Sequence, residues 1–131
     1  MCHINLKSQK NLAVFMDYKR TYDDIMNIDS KIRLVTICDL GGKIMHSGHR
    51  QGVTNLLTPE ESNISLDLAI NAWKTRSELA PKLGKGKYVL AEYEKIKRIT
   101  MPLGEDHILY ITTEVEADDR WIIERVKRVS S

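Results

Sequence analysis

The run of residues 32–39, IRLVTICD, constrains the fold more than any other part of the chain. It is rich in β-branched residues, which favour strands, and most of its positions are apolar. Because successive side chains of a strand point to opposite faces, this strand places apolar side chains on both faces of its sheet. Each face must therefore be covered, either by helices or by a second subunit, and the second possibility is a physical reason to expect a homodimer.

A glycine turn joins this strand to a second one. Leu40-Gly41-Gly42 follows the first run, and residues 43–49, KIMHSGH, are again strand-like. Glycine tolerates the positive φ angles that tight hairpin turns require. The sequence therefore predicts a β-hairpin over residues 32–49.

The clearest helix start is TPEE at residues 58–61. The threonine can cap a helix, the proline suits the first helical position, and the second glutamate completes a capping box. Apolar residues continue at helical spacing to Ala80, and Pro81 predicts the end of the helix. Trp73 is expected to anchor this long helix on the sheet.

Three strands are predicted after the long helix, over residues 88–93, 97–103 and 107–114. Their connections are short, which makes neighbouring strands antiparallel. An amphipathic helix is predicted at each end of the chain, one from Leu12 to Ile28 and one after Asp118-Asp119.

The element order is thus α-β-β-α-β-β-β-α. The predicted fold is α+β, with a five-stranded antiparallel sheet, a long central helix over one face, and terminal helices over the same or the opposite face. Residues 1–11 are polar and patternless and are expected to be a flexible leader, so that residues 12–131 form a single domain.

Composition narrows the class of protein. The chain is 42% hydrophobic, which is too aliphatic for disorder, and its net charge of +2 gives no strong field for nucleic acid or membrane. The apolar runs are far shorter than the roughly 20 residues that span a bilayer, and no secretory signal is visible. Two cysteines are too few for a disulfide scaffold. We therefore expect a cytoplasmic protein with no membrane partner.

Two hairpins resemble those of a known fold. VTICDLGGKI at 35–44 resembles the first hairpin of the roadblock/longin branch of profilin-like domains, and RITMPLGEDHILYI at 98–111 resembles its last hairpin. The pattern covers residues 17–129. In addition, the segments at 73–76 and 92–99 resemble a set of small uncharacterised proteins from ammonia-oxidising archaea, which brings no established activity.

The roadblock resemblance implies a non-catalytic, homodimeric interaction or regulatory module that acts as a scaffold. Members of that class typically dimerise through a helix or by extending the sheet, and many regulate small GTPases. A small GTPase or another signalling protein is therefore the implied partner. PAS-type sensors share a similar strand-helix-strand layout, so a small-molecule sensor with a pocket between the sheet and the long helix is the alternative.

Five residues are candidates for a binding or interface site: Trp73, Arg76, Tyr93, Lys97 and Arg98. Trp73 and Arg76 lie three apart on a helix, and both residue types are enriched at interface hot spots. A core tryptophan with a packed arginine would give the same spacing. Tyr93 beside the two basic residues could stack bases, so weak nucleic-acid binding is a second alternative, although acidic neighbours interrupt this basic patch.

Side chains that could carry chemistry do not converge. His46 and His49 lie three apart on a strand and should point to opposite faces, whereas a zinc site needs three or four converging ligands. Cys38 beside Asp39 lies in no recognisable nucleophile motif. We therefore predict no metal, no cofactor, no catalytic residue and no enzymatic activity, and we expect nucleic acid to be an unlikely partner.

Overall fold

The computed structural model describes residues 17–130. The predicted leader at 1–11 and the first residues of the predicted helix at 12–28 lie outside this range. The predicted order of elements is confirmed, with one additional short helix. The elements are α1 (Tyr18–Met26), β1 (Ile32–Asp39), β2 (Ile44–His49), α2 (Pro59–Ser77), α3 (Ala80–Leu83), β3 (Val89–Glu92), β4 (Lys97–Leu103), β5 (His107–Thr113) and α4 (Asp119–Ser130).

All five strands belong to one antiparallel sheet with the spatial order β2-β1-β5-β4-β3. The first hairpin and the later meander meet where β1 pairs with β5, with Thr36 opposite Tyr110 and Cys38 opposite Ile108. The most apolar strands therefore lie in the middle of the sheet, and β2 and β3 form its edges. This confirms the predicted α+β class and the single five-stranded sheet.

The first hairpin turn is held by the side chain of Asp39. Its carboxylate accepts hydrogen bonds from the backbone N–H groups of Gly41 and Lys43, each at 2.9 Å. Gly42 has a φ of 92°, a conformation that residues with a Cβ rarely adopt. An aspartate followed by glycines is therefore what this turn requires.

One face of the sheet packs against α1 and α4. Alternate residues of the three central strands point to this face, as their spacing predicts. They form one buried cluster with apolar residues of both helices: Val35, Ile37, Ile99, Met101, Leu103, Leu109 and Ile111 from the strands, and Ile25, Met26, Ile122, Ile123 and Val126 from the helices.

Among residues 17–130, α2 is the helix that covers the opposite face. Trp73 is buried under this helix, as predicted, in a cluster that includes Ile70, Cys38, Ile108 and Tyr110. Helices, rather than a second subunit, therefore lie over both faces of the sheet. Self-association is not needed to cover a face, and any dimer must use the surfaces that these helices leave exposed.

Both predicted helix caps are present. The N–H of Glu61 donates to Thr58 Oγ1 at 3.1 Å, and the N–H of Thr58 donates to Glu61 Oε1 at 2.9 Å, which completes the capping box. At the start of α4, the carboxylate of Asp118 accepts the N–H of Trp121 at 3.1 Å. The helix starts follow from local sequence because each cap satisfies N–H groups that lack partners inside the helix.

The predicted end of the long helix was wrong by one turn. We expected α2 to continue to Ala80, but it ends at Ser77 and a separate short helix contains Pro81. A proline inside a helix cannot donate to the carbonyl four residues earlier, and its ring clashes with that carbonyl. For Pro81 this carbonyl belongs to Ser77, which is the last residue of α2. None of the helices within residues 17–130 has the length and apolar character to cross a membrane.

Lys97 connects β4 to the start of α4. Its Nζ donates to the Asp119 carboxylate at 2.7 Å and to the carbonyl of Ala117 at 3.0 Å, and the residue is buried. The hydrogen bond that Lys97 donates to Asp119 raises the pKa of Lys97 above its ordinary value. The lysine therefore stabilises the contact between the sheet and the C-terminal helix.

Cys38 lies in the core between β1 and α2. Its Sγ is 3.8 Å from the carbonyl oxygen of Ile108, and the residue has no exposed surface. Burial, with a smaller contribution from Asp39, raises the pKa of the thiol to about 11. The thiol is therefore protonated at neutral pH.

We predict that Lys97→Met lowers the free energy of unfolding by about 1–3 kcal/mol, because it leaves the Asp119 carboxylate and the Ala117 carbonyl without their buried partner. Urea denaturation of the variant and the parent measures this change. Lys19→Met is the matched control, since Lys19 pairs with Asp23 on the exposed surface and should change stability by less than about 0.5 kcal/mol. Equal losses in the two variants would contradict the structural role of Lys97.

The pH dependence of this stabilisation follows from the raised pKa. A lysine whose folded-state pKa exceeds its ordinary 10.5 contributes fully below that value and loses the contribution as pH rises through the folded-state pKa. The difference between parent and Lys97→Met should therefore be constant around neutral pH and shrink only in strongly alkaline solution.

We predict that Cys38 is inert in the folded protein. In a Cys2→Ser background, an aromatic disulfide reagent at mildly alkaline pH should label Cys38 at least about a hundredfold more slowly than in urea. The rise in pKa from 9.0 to about 11 alone reduces the thiolate fraction by about that factor. Rapid labelling without urea would mean that the core beneath α2 opens readily.

Candidate functional site

A groove of about 930 Å³ lies beside the first half of α2, on the face of the sheet that this helix covers alone. Its floor is made by strand residues, one wall by the first turns of α2, and its ends by the loop before α2 and the β3–β4 turn. The groove exists because one helix cannot cover a face of five strands. Its floor and walls include Leu34, Thr36, Ser47, His49, Leu57, Ile64, Ser65, Leu68, Tyr93, Arg98, Tyr110 and Thr112.

Strand register fixes the floor of the groove. Arg98 is opposite Thr112, Thr112 is opposite Leu34, and Leu34 is opposite His49, so these residues form one row across four strands. A parallel row includes Thr36, whose Oγ1 is 2.7 Å from the Oγ of Ser47. This face is therefore more polar than the one under α1 and α4.

Arg98 is the central charged group of the floor. The residue is only 9% exposed, and its Nη1 donates to Ser65 Oγ at 3.1 Å. The guanidinium carbon lies 5.7 Å from the ring centre of Tyr110 and 5.9 Å from that of Tyr93. Its Nε is buried without a hydrogen-bond partner, and no carboxylate of residues 17–130 forms an ion pair with it.

Two hydroxyl groups extend this polar centre. Ser65 Oγ lies 2.6 Å from the hydroxyl oxygen of Tyr110, so α2, β4 and β5 meet in one hydrogen-bonded chain of Arg98, Ser65 and Tyr110. A buried cation beside two hydroxyl groups can bind an anion or a strong hydrogen-bond acceptor.

Exposed apolar side chains surround the polar centre. Six of them, which we call the rim, are between 39% and 67% exposed: Ile44, Leu56, Leu57, Ile64, Leu68 and Tyr93. Scattered apolar residues are normal on a surface, but a continuous group around one groove indicates a binding surface.

The structure brings together two of the five candidate site residues. Tyr93 and Arg98 both line the groove, whereas Trp73 is buried in the core under α2. Arg76 lies on the outer surface of α2 in a shallow depression beside Leu68. Lys97 points to the opposite face of the sheet, where it pairs with Asp119. A functional role for any of the five remains a prediction.

The two histidines lie on opposite faces, as predicted. His46 is opposite Ile37 and packs against the ring of Tyr22 at 4.6 Å, whereas His49 is opposite Leu34 and faces the groove. Within residues 17–130, no three His, Cys, Asp or Glu side chains are placed to hold a metal ion.

The basic run at the start of β4 does not form one surface patch. Lys97 and Arg98 alternate between the two faces, the first in an ion pair and the second in the floor of the groove. A platform for nucleic acid needs exposed cations that follow the phosphate backbone. This arrangement therefore disfavours the nucleic-acid alternative.

Sequence reasoning missed the roles of Ser65, Tyr110, Ile64 and Leu68. The last two were assigned to the apolar stripe of the long helix, yet they are 67% and 58% exposed. The available signal was that α2 carries apolar residues on two opposite sides, and only one side can contact the sheet. Nothing in the sequence indicated the contact between Ser65 and Tyr110, because that contact depends on how α2 crosses β5.

No protein-family model and no curated protein sequence matches this chain. Solved structures do match. A Roadblock/LC7 domain from Streptomyces avermitilis has a TM-score of 0.64 at 12% identity, over 81% of this chain and 85% of that one. The gliding protein MglB from Thermus thermophilus has a TM-score of 0.71 at 15% identity, over 90% and 89%. An MglB structure described as having a tetrameric arrangement gives the same score and identity, over 90% and 88%.

Profilin II from Acanthamoeba castellanii is more distant, with a TM-score of 0.51 at 11% identity, over 77% of this chain and 83% of the profilin. The resemblance to proteins of ammonia-oxidising archaea is not tested by these matches and stays a prediction. Likenesses at such low identity concern the fold rather than the activity. The chain has the roadblock fold of the profilin-like class, as its two hairpins indicated.

Proposed function

We propose that this chain is a non-catalytic interaction and regulatory module that works as a homodimer. The observation that carries the proposal is an exposed apolar stripe on the outer side of α2. Ile64 and Leu68 lie one turn apart on it, and Leu79, also exposed, follows just beyond the end of the helix. These side chains are more than half exposed.

The edge of the sheet offers a second contact. β3 is an edge strand, so the outward-facing N–H and C=O groups of Val89–Glu92 have no strand partner among residues 17–130. An edge of this kind can pair with its own copy across a two-fold axis. Tyr93, at the end of β3, lines the same groove as Ile64 and Leu68, which places the free edge near the stripe.

Both surfaces agree with how roadblock domains are expected to associate, through a helix or by extension of the sheet. The MglB structure with a tetrameric arrangement supports self-association in a protein of this fold. The implied partner is a small GTPase or another signalling protein, and the support for it is the likeness of fold. A cytoplasmic location is part of the proposal and agrees with the unpaired thiol of Cys38.

The absence of catalysis is also proposed. A nucleophilic cysteine needs an accessible thiolate, and Cys38 is buried with its pKa raised to about 11. Catalysis by His46 and His49 together would require them to face one site, but the sheet separates them. Roadblock domains and MglB, the structural neighbours, fit a regulatory module better than an enzyme.

A small-molecule sensor is the second candidate function, and the groove favours it. Pockets for small ligands occupy roughly 300–1,000 Å³ and combine apolar walls with a few polar groups that fix orientation. The groove of about 930 Å³, with its apolar rim and the buried Arg98, has that composition. A ligand could act on partner binding through α2, which forms both a wall of the groove and the proposed dimer surface.

We predict that the purified chain is a dimer with twice the 15.1 kDa mass of one copy and that Leu68→Glu weakens it. A carboxylate at the centre of an apolar contact should raise the dissociation constant at least about tenfold, which corresponds to about 1.4 kcal/mol. Sedimentation equilibrium measures both masses and dissociation constants.

Trp121→Glu is the control for this experiment, since Trp121 is an exposed apolar residue on α4, on the opposite side of the sheet. It should leave the dissociation constant unchanged. A parent chain that stays monomeric at millimolar concentration, or equal weakening by both substitutions, would contradict the proposed dimer surface.

A further inference from the structure

We infer that the groove binds a small amphipathic monocarboxylate, with the carboxylate on Arg98 and the apolar body along the rim. This inference rests on the sensor role and does not require the dimer. It assigns a class of ligand to the groove.

The first step is the unsatisfied charge of Arg98. A charge that is nine-tenths buried is costly unless it is paired, and this guanidinium has one hydrogen bond, to Ser65, and two aromatic neighbours. Its Nε and Nη2 have no partner among residues 17–130. These two nitrogens form the planar edge that binds both oxygens of a carboxylate.

Other inward-facing arginines of the chain are satisfied, which makes Arg98 exceptional. Arg33 forms an ion pair with Glu114 at 2.8 Å and also donates to a backbone carbonyl. Arg50 donates three hydrogen bonds to backbone carbonyls near the end of α1 and the start of β1. Within residues 17–130 the fold therefore supplies carboxylate or carbonyl acceptors to these guanidinium groups, but at the floor of the groove it supplies only the Ser65 hydroxyl.

Of the carboxylate side chains within residues 17–130, those of Glu61 and Glu94 are the ones that line the groove. Glu61 lines the groove, but its side chain accepts the N–H of Thr58 in the capping box. Glu94 lies on the exposed β3–β4 turn and makes no ion pair with Arg98. Residues 1–16 contain neither aspartate nor glutamate. A carboxylate from another molecule would supply the missing counter-ion.

The apolar rim of the groove indicates what should be attached to the carboxylate of the ligand. Arg98 on the floor balances one negative charge, whereas Lys95, which also lines the groove, lies beside Glu94 on the β3–β4 turn. A monocarboxylate therefore fits the floor better than a phosphate dianion. An inorganic anion would fill only the floor and leave the exposed rim residues, such as Leu57, Ile64 and Leu68, in water. An apolar body along the rim removes that surface from water at about 25 cal/mol per Å².

A carboxylate from a second protein is the less favoured occupant. Arg98 lies on the floor under α2, so an acidic side chain on another folded surface would have to reach past the rim. A small molecule can enter the groove whole. Titration with an acidic peptide distinguishes this occupant from a small molecule.

The experiment is calorimetric titration of the full chain with octanoate, 1-octanol, acetate and a short peptide that carries one glutamate among leucines. We expect octanoate to bind at least about tenfold more tightly than 1-octanol, because a charge-assisted pair contributes about 1.5–3 kcal/mol. Acetate should show no measurable binding. Arg98→Met should remove the preference for octanoate over 1-octanol, and Arg98→Lys should retain part of it.

Arg125→Met is the matched control, since Arg125 stacks on Trp121 at 4.8 Å on the other side of the sheet. It should bind octanoate as the parent does. Equal binding of octanoate and 1-octanol would overturn the inference while preserving a small-molecule pocket. Binding of none of the probes would overturn both the inference and the sensor role. Binding of the peptide alone would overturn the small-molecule ligand in favour of a protein partner.

Thermal unfolding gives a readout that a purely structural arginine would not produce. Because Arg98 is a buried charge without a counter-ion, Arg98→Met should raise the midpoint of the ligand-free chain by about 3–8 °C. Arg125→Met should leave it nearly unchanged. A large fall in the midpoint of Arg98→Met would show that Arg98 stabilises the fold, and this would remove the first step of the inference.

Discussion

The pairing of β1 with β5 is the constraint on which the rest of the structure depends. It joins the first hairpin to the later meander, and its register sets which side chains share a face. One face is mostly apolar at its centre and packs against two helices, whereas the other carries threonines, serines and Arg98 and packs against one within residues 17–130. The groove follows from this difference, because a single helix cannot cover five strands and the uncovered part of that face is the polar part.

Two adjacent basic residues show how strand alternation gives neighbouring side chains different surroundings. Lys97 and Arg98 are neighbours in β4, so they point to opposite faces. Lys97 pairs with Asp119 and donates to the Ala117 carbonyl before α4, so it stabilises the contact between the sheet and that helix. Arg98 packs against two tyrosine rings and donates to the Ser65 hydroxyl, and it forms no ion pair with a carboxylate of residues 17–130. A native fold that leaves a buried charge unsatisfied gives up stability there, and binding sites are where proteins tolerate that loss.

Much of the fold could be predicted from local sequence, because its signals are local. Thr58 and Glu61 cap α2 within one turn, Asp39 and Gly42 form the hairpin turn, and β4 begins and ends where its alternating residues do. The last residue of α2 was harder to predict, since Pro81 lacks only its own donor to the Ser77 carbonyl, and the helix ends earlier with bonds from Glu78 to Thr75 and from Leu79 to Arg76. The site could be predicted only in part, since Tyr93 and Arg98 were candidates for their residue types. Their convergence with Ser65 and Tyr110 depends on register and on helix placement over the sheet, which no single segment encodes.

The two proposed roles are physically linked because they share side chains. Ile64 and Leu68 belong both to the rim of the groove and to the outer stripe of α2. A ligand that covers them changes the apolar surface available to a second copy, and by thermodynamic reciprocity dimerisation changes ligand affinity by the same factor. Arg98 is outside this overlap, since it lies on the floor and takes no part in the stripe. Its substitution therefore alters anion recognition without altering the dimer surface, so the two roles can be separated in one protein.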